Sequence, residues 1–248
     1  MKVSIITAVF NNAGTLAQTL DSILQQSGVE VEVIVIDGAS TDGSLAILRR
    51  YESRLKVVVS EPDNGIYDAL NKGLAYATGE VVGFLHADDF LAAPTSLQLI
   101  VSALNKNQAD GVYGDLQYVR KDQPEQRLRY WRSRQFRPAL LAQGWMPAHP
   151  TLYLRRTVYE ETGDFDTRYR IAADYDFMLR VLTNPAYRFA YIPRVLVNMR
   201  AGGVSNRSIS NLLAKSREDL RIIRQHKLGG WLTLLAKNIS KVPQFFSG

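Results

Sequence analysis

The chain has 248 residues, 46% of them hydrophobic, and no cysteine. That length allows one large domain or a domain with a tail, and the lack of cysteine excludes both a disulfide framework and a thiolate metal site. No apolar run approaches the roughly 18–20 residues that span a bilayer, and the short apolar stretch 3–10 has no small-residue cleavage site after it, so it reads as a first strand rather than a secretion signal.

In chain order, residues 3–9 form an apolar strand, and 15–26 have helical spacing at Leu16, Leu20, Ile23 and Leu24. Residues 31–36 are a strand ending at Asp37. Residues 44–51 are a helix with Asp42 or Ser44 as its cap, and 56–60 are a strand. A helix over 66–77 carries Leu70 and Leu74 on one face; a strand over 81–85 and a helix over 95–105 follow. Residues 111–113 and 117–119 are short strands, and the Arg/Tyr/Trp-rich stretch 127–137 is an irregular excursion. Beyond it come a strand at 151–154, a helix at 156–162 ending at Gly163, a helix at 174–182, a strand at 195–199, a turn at Gly202-Gly203 and a long polar helix at 209–226. The βαβαβαβ order of the first 115 residues predicts a mainly parallel sheet with helices on both faces, an arrangement that binds ligands beyond the carboxyl ends of its strands.

Three of those strand ends carry polar or aromatic residues: Phe10-Asn11, Asp37 and Asp88-Asp89. The last is the most informative. An apolar strand stops at His86-Ala87-Asp88-Asp89, and two ionised carboxylates beside buried strand cost several kcal/mol unless a cation or donors compensate. Hard cations such as Mn²⁺ and Mg²⁺ take oxygen ligands and share them with substrate phosphates. A solvated strand-to-helix turn is the competing reading of this pair.

Four motifs follow one another along the chain: residues 4–12 (SIITAVFNN), 35–43 (VIDGASTDG), 63–73 (DNGIYDALNKG) leading to Gly79-Glu80 and His86-Ala87-Asp88-Asp89, and 173–180 (ADYDFMLR). Together they resemble the family-2 glycosyltransferases, inverting enzymes with the GT-A fold, over about residues 3–205; the closest likeness is to bacterial enzymes of exopolysaccharide and O-antigen assembly, including colanic-acid-type transferases. The resemblance implies a nucleotide-diphosphate sugar donor, a saccharide acceptor that is often undecaprenyl-linked, and Mn²⁺ or Mg²⁺. It makes Asp37 the acceptor of a base N–H, Phe10 the aromatic on the base, Asn64 a further donor contact and Asp88 a metal ligand. His86 stands where the family's metal motif has its first acidic residue, and Leu70 where it often has Arg. Asp89 then faces the donor sugar or acceptor. Asp174 falls on the catalytic base, with Ala173 in place of the first acid of that pair; Asp176 is an acceptor contact or structural, and His149 a sugar or diphosphate contact. Arg200 and Ser205, in a glycine-containing segment, resemble a loop that closes over the diphosphate. On this reading residues 1–207 are the catalytic domain, with a nucleotide-binding half (1–115) and an acceptor half (116–207), and 208–248 a basic helical segment.

The net charge of +6 is unevenly placed: from Arg200 onward nine Lys/Arg stand against two Asp/Glu, and residues 120–137 hold seven Lys/Arg against Asp122 and Glu125. Leu228, Trp231, Leu232, Leu235, Ile239 and Val242 fall on one helical stripe, with Lys237 and Lys241 off it and Pro243 ending the helix. Such a helix suits an anionic membrane surface, which places the enzyme on the cytoplasmic face of the inner membrane; docking on its own domain or on a second copy as a homodimer is the alternative. Other classes fit less well. A nucleotidyltransferase needs a Gly-rich loop with Arg and Lys after the first strand, and residues 10–14 have neither. A nucleotide-sugar-binding protein without turnover rests on Ala173 and His86 alone. A near-neutral body without a recognised module disfavours nucleic acid.

Overall fold

A computed structural model describes residues 1–202 and 209–240. Ser205, Lys241, Val242 and Pro243 therefore lie outside the described residues. Strands β1 (Lys2–Val9), β2 (Glu30–Asp37), β3 (Val57–Ser60) and β4 (Val81–Phe84) run parallel in the order β3-β2-β1-β4. The sheet continues through β8 (Tyr153–Arg155), β6 (Gly111–Val119), β9 (Phe189–Arg200) and β5 (Phe90–Leu91), while β7 (Arg127–Trp131) pairs with β6. Strands β6 and β9 share the direction of β4; β5, β7 and β8 run against it. The expected α/β, mainly parallel architecture is what forms.

The sheet is buried on both faces, as helical crossovers require. Along β2 the side chains alternate: Val33 and Val35 enter one core cluster, Ile34 and Ile36 the other. Each such fully buried aliphatic contributes ~1.5–3 kcal/mol. Helices α1 (Leu16–Leu24) and α4 (Ser96–Asn107) cover the first face. Helix α3 (Ile66–Tyr76), α6 (Arg156–Thr162) and α7 (Ala173–Leu182) cover the second. Gly73 lets α3 lie directly on β1, because a Cβ there would enter the space of Ile6 Cγ2. Helix α2 (Ser44–Tyr51) follows β2, and a short α5 (Ala139–Ala142) precedes β8.

The C-terminal helices α8 (Ile209–Gln225) and α9 (Trp231–Ile239) join the second core: Leu220, Ile222, Ile223 and Leu234 share a cluster with Phe177 and Met178 of α7. Lys237 is only 2% exposed. Its Nζ lies 2.7 Å from Asp219 Oδ1 and 3.2 Å from the centroid of the Tyr175 ring. Burial pulls the Lys237 ammonium down to about 8. The expected apolar stripe is split: Leu228 packs against the core, while Trp231, Leu232, Leu235 and Ile239 remain exposed.

Several boundaries differ from the sequence reading. Residues 111–119 are one strand rather than two, and the strand expected at 195–199 begins at Phe189. Pro193 sits where the β6–β9 register shifts, between Ile192 opposite Gly114 and Val195 opposite Asp115, so the missing N–H falls at an irregularity that a strand tolerates. Part of the excursion 127–137 is β7, held to β6 in part by Arg129 stacking on Tyr118.

Candidate active site

Chain order along the sheet reverses between β1 and β4, since β2 and β3 lie on one side of β1 and β4 on the other. A crevice opens at the carboxyl ends of strands at such a switch point. Phe10 and the 86–89 turn follow strands that end there, and Asp37 is the last residue of another.

The loops after β1 and β2 are tied together. The Asn11 N–H donates to Ser40 Oγ (2.9 Å), the Thr41 N–H to Asn11 Oδ1 (2.9 Å) and the Asn12 N–H to Ser44 Oγ (3.0 Å). Asn11 takes a left-handed φ of 52° to do so, which Asn tolerates better than most residues. The result presents the Phe10 ring, 63% exposed, above this pair of loops. Asp37 is different from its expected role. It has no exposed surface, its Oδ2 accepts from Ser60 Oγ and the Ser40 N–H, and its Oδ1 accepts from Ser40 Oγ. A carboxylate sealed in this way fixes the loop after β2 and has no exposed oxygen for the base N–H that the sequence assigned to it. Asn64 is exposed just before α3, with its N–H donated to Asp68 Oδ2 at 3.0 Å.

After β4 the chain turns through an Asp89 N–H to His86 carbonyl bond of 2.9 Å, and Thr15 and Thr19 on the α1 side hold the Ala87 carbonyl. Asp88 is half-buried, whereas Asp89 is 1% exposed. Asp89 Oδ1 accepts the Arg200 N–H at 3.2 Å, and its Oδ2 is buried without a partner. Burial first, and then the Asp88 charge, pushes the Asp89 carboxyl well above the usual carboxylate range. The Arg200 side chain, 5% exposed, donates to the Asp88 carbonyl and to Gln18 Oε1 and lies over the Phe90 ring. It thus braces the acidic turn from within the protein, where the sequence suggested a loop closing over phosphate. Ser205, from the same expectation, is outside the described residues.

Asp174 lies in the first turn of helix α7. The His86 ring is close enough to feel the charges of both Asp88 and Asp174, and burial still holds it below its ordinary value, so it is neutral near pH 7. His149 lies 6.4 Å from His86, centroid to centroid, and stacks against Phe84; burial lowers its pKa to about 4. Asp174 is half-buried, and its Oδ1 accepts from Tyr67 Oη (3.0 Å) and the Tyr175 N–H (2.8 Å). Its Oδ2 accepts no bond among the described residues. Asp176 faces away from this crevice chemistry: it is 2% exposed, between Arg180 Nε (3.0 Å) and His226 Nε2 (2.9 Å). Burial works to raise its carboxyl, but the His226 and Arg180 bonds outweigh that and hold it below the usual range. Of its two expected roles, these contacts match the structural one.

Sequence reasoning missed Tyr67 and Glu218. The Glu218 carboxylate accepts the N–H groups of Arg170 (3.0 Å), Ile171 (2.9 Å) and Ala172 (2.9 Å), so α8 fixes the turn that leads into Asp174. No local pattern announces a contact 46–48 residues away. Tyr67 was visible only as an aromatic in the third motif.

Among the described residues no three His, Asp or Glu side chains converge into a closed cation site. The half-buried Asp88 carboxylate and the partnerless, buried Nδ1 of the neutral His86 fit instead a cation that completes its shell with phosphate oxygens and water.

Comparison with known proteins places this geometry. A family model described as "Glycosyl transferase family 2" matches residues 4–174. The chain is 32% identical over 215 residues to the "PGL/p-HBAD biosynthesis glycosyltransferase" of Mycobacterium bovis BCG, covering 82% of this chain and 78% of that protein. Among solved structures, S. aureus TarS 1–349 in complex with UDP-GlcNAc superposes with a TM-score of 0.68 at 18% identity, over 100% of this chain and 73% of that one. The mannosyltransferase PcManGT from Pyrobaculum calidifontis, in complex with GDP-Man and Mn²⁺, gives 0.67 at 22% identity, over 99% and 73%. The fold is that of the GT-A glycosyltransferases.

Proposed function

The chain belongs to glycosyl transferase family 2, and from that premise we propose that it moves a sugar from a nucleoside-diphosphate donor, with inversion, onto a lipid-linked saccharide during assembly of a cell-surface polysaccharide. The observation that carries this reading is that Asp174 lies within electrostatic range of His86 in the Asp88 turn and keeps one carboxylate oxygen unbonded among the described residues, left for a proton. Asp174 Oδ2 takes the proton of the acceptor hydroxyl as that oxygen bonds to the anomeric carbon from the face opposite the diphosphate. The anomeric C–O bond breaks and its electron pair leaves with the nucleoside diphosphate. Asp88 and His86 would hold Mn²⁺ or Mg²⁺, which when bound neutralises charge on the leaving diphosphate. Phe10 packs on the base, Asn64 contacts the donor and His149 lines the acceptor side; Asp89, expected to face the donor sugar or acceptor, is buried at 1% exposure on the Arg200 N–H and so belongs to the frame of the acidic turn. Tyr67 and Glu218 hold the base in place, and Arg200 holds the acidic turn.

The exposed Trp231, Leu232, Leu235 and Ile239 on α9, with the basic balance after residue 199, support docking on an anionic inner-membrane face where a lipid-linked acceptor sits. No described helix is long and apolar enough to cross a membrane. The exposed arginines of the 120–137 segment suit the acceptor's diphosphate. A thermal-shift screen of uridine, guanosine and thymidine diphosphates with and without Mn²⁺ tests the donor site. At least one is expected to stabilise the protein only with the cation, and failure of all three overturns the reading.

A further inference from the structure

We infer that Asp63, not Asp37, reads the donor's base, and that this base is a uracil-type imide. The inference rests on the donor-site reading above and goes beyond it by naming the specificity residue and the base class.

Three observations converge on Asp63. Asp37 is sealed, with both oxygens already accepting bonds from Ser40 and Ser60, so no base N–H reaches it. The next residue, Gly38, has no side chain, and the space beside it is filled by Asp63: a Cβ at Gly38 would collide with Asp63 Oδ2, lie 3.1 Å from Asp63 Cγ and lie 3.4 Å from Phe10 Cδ2. A carboxylate from the loop before α3 thus stands at the end of β2 beside the exposed Phe10 ring. Finally, that carboxylate is fixed in place. Asp63 Oδ1 accepts the Gly65 N–H at 2.8 Å, while Oδ2 accepts no bond among the described residues.

One free carboxylate oxygen next to an exposed aromatic face is a receptor for a single in-plane N–H on a stacked base. The imide N3–H of uracil, flanked by two carbonyls, presents that pattern. Guanine presents N1–H and an amino group side by side, which two carboxylate oxygens match, and here one of the two is committed to Gly65. Cytosine presents a ring-nitrogen acceptor, which a carboxylate repels. Gly38 is then required, because any larger residue would displace the reading group.

Calorimetric titration of the full chain with UDP, CDP, GDP and inorganic pyrophosphate, all with Mn²⁺, tests the inference. The wild type is expected to bind UDP ahead of CDP and GDP. Asp63→Ala and Asp63→Asn should lose about 10- to 100-fold in UDP affinity, the range for a hydrogen bond to a charged group, with pyrophosphate binding unchanged. A Gly38→Asp/Asp63→Ala double variant, which returns a carboxylate to the same space, should regain UDP affinity. Asp37→Asn should lower the melting temperature and keep the base order. If Asp63→Ala binds UDP as tightly as the wild type, or if the wild type prefers GDP, the inference is overturned while the donor site stands. If the wild type binds no nucleoside diphosphate, the donor-site reading falls and this inference with it.

Discussion

The Tyr67 hydroxyl lies 3.0 Å from Asp174 Oδ1 and 2.8 Å from the Ile171 carbonyl, so one phenolic proton is shared between a carboxylate and the turn that carries it. Burial, and then the Asp174 charge, pushes the Tyr67 phenol well above its ordinary value, which keeps that proton in place at any working pH. With the Tyr175 N–H on the same oxygen, Oδ1 is held and Oδ2 is left for the acceptor. Tyr67→Phe should therefore lower kcat by about 5- to 10-fold, the worth of one hydrogen bond, with the donor KM unchanged. Steady-state kinetics on the two proteins checks this; a change confined to KM would move Tyr67 to a binding role.

Asp88→Ala should remove the Mn²⁺-dependent part of nucleoside-diphosphate binding and leave the melting temperature of the free protein near that of the wild type, because Asp88 is half-buried and it is its backbone carbonyl, kept in the variant, that accepts from Arg200. His86→Ala should weaken the Mn²⁺ dependence in the same direction. Titrating Mn²⁺ into each variant at fixed nucleotide reads both effects. An unchanged Mn²⁺ response in both would place the cation elsewhere.

His149 predicts a pH dependence of stability with a definite sign. Its folded value is about 4 against an ordinary 6.5, with burial the largest cause, Asp174 opposing it and His86 adding to it. Between those values the unfolded chain binds a proton that the folded chain refuses, so stability is full above pH 6.5 and falls as pH drops towards 4, by at most about 1.4 kcal/mol per pH unit. His149→Phe, which keeps a ring against Phe84 and Phe165, should flatten the melting-temperature profile in this window. A variant as acid-sensitive as the wild type would show that other groups set the slope.

The outer face of α9 gives a separate prediction. Trp231 and Leu232 are 66% and 82% exposed, whereas Leu234 and Lys237 on the same helix are buried against the body. Replacing Trp231, Leu232 and Leu235 by Ser should reduce sedimentation with anionic vesicles and leave the melting temperature almost unchanged. Removing the whole helix would instead strip Lys237 from Asp219 and damage the core. Equal sedimentation of the triple variant and the wild type at low salt would assign this face to protein contacts.

Much of the fold is legible in the sequence because its elements are locally determined. Residues 44–51 and 156–162 are helices with the expected bounds, and β1 to β4 are apolar runs bounded by turn residues. What the sequence hides is set by distant contacts. The two-residue strand β5 exists only because β9 pairs with it, and the continuity of β6 and β9 past Pro193 depends on a register shift that no local pattern encodes. At the site, a strand-end aspartate has the same sequence signature whether it faces a ligand or, like Asp37, is closed by Ser40 and Ser60. Arg200 and Asp176 are both charged residues near motifs, and only packing shows that one braces a turn and the other pins α7 to His226, just past the end of α8.

The claim that this site performs sugar transfer with Asp174 as base is tested most directly by measuring nucleoside-diphosphate release from a bound nucleotide sugar, with Mn²⁺, in the wild type and in Asp174→Asn. The substitution keeps the shape of the side chain and removes its capacity to take a proton. Donor affinity should stay within about twofold, while the release rate falls by roughly 10²–10⁴, the range that general-base catalysis contributes. Release at the wild-type rate from Asp174→Asn would contradict the account.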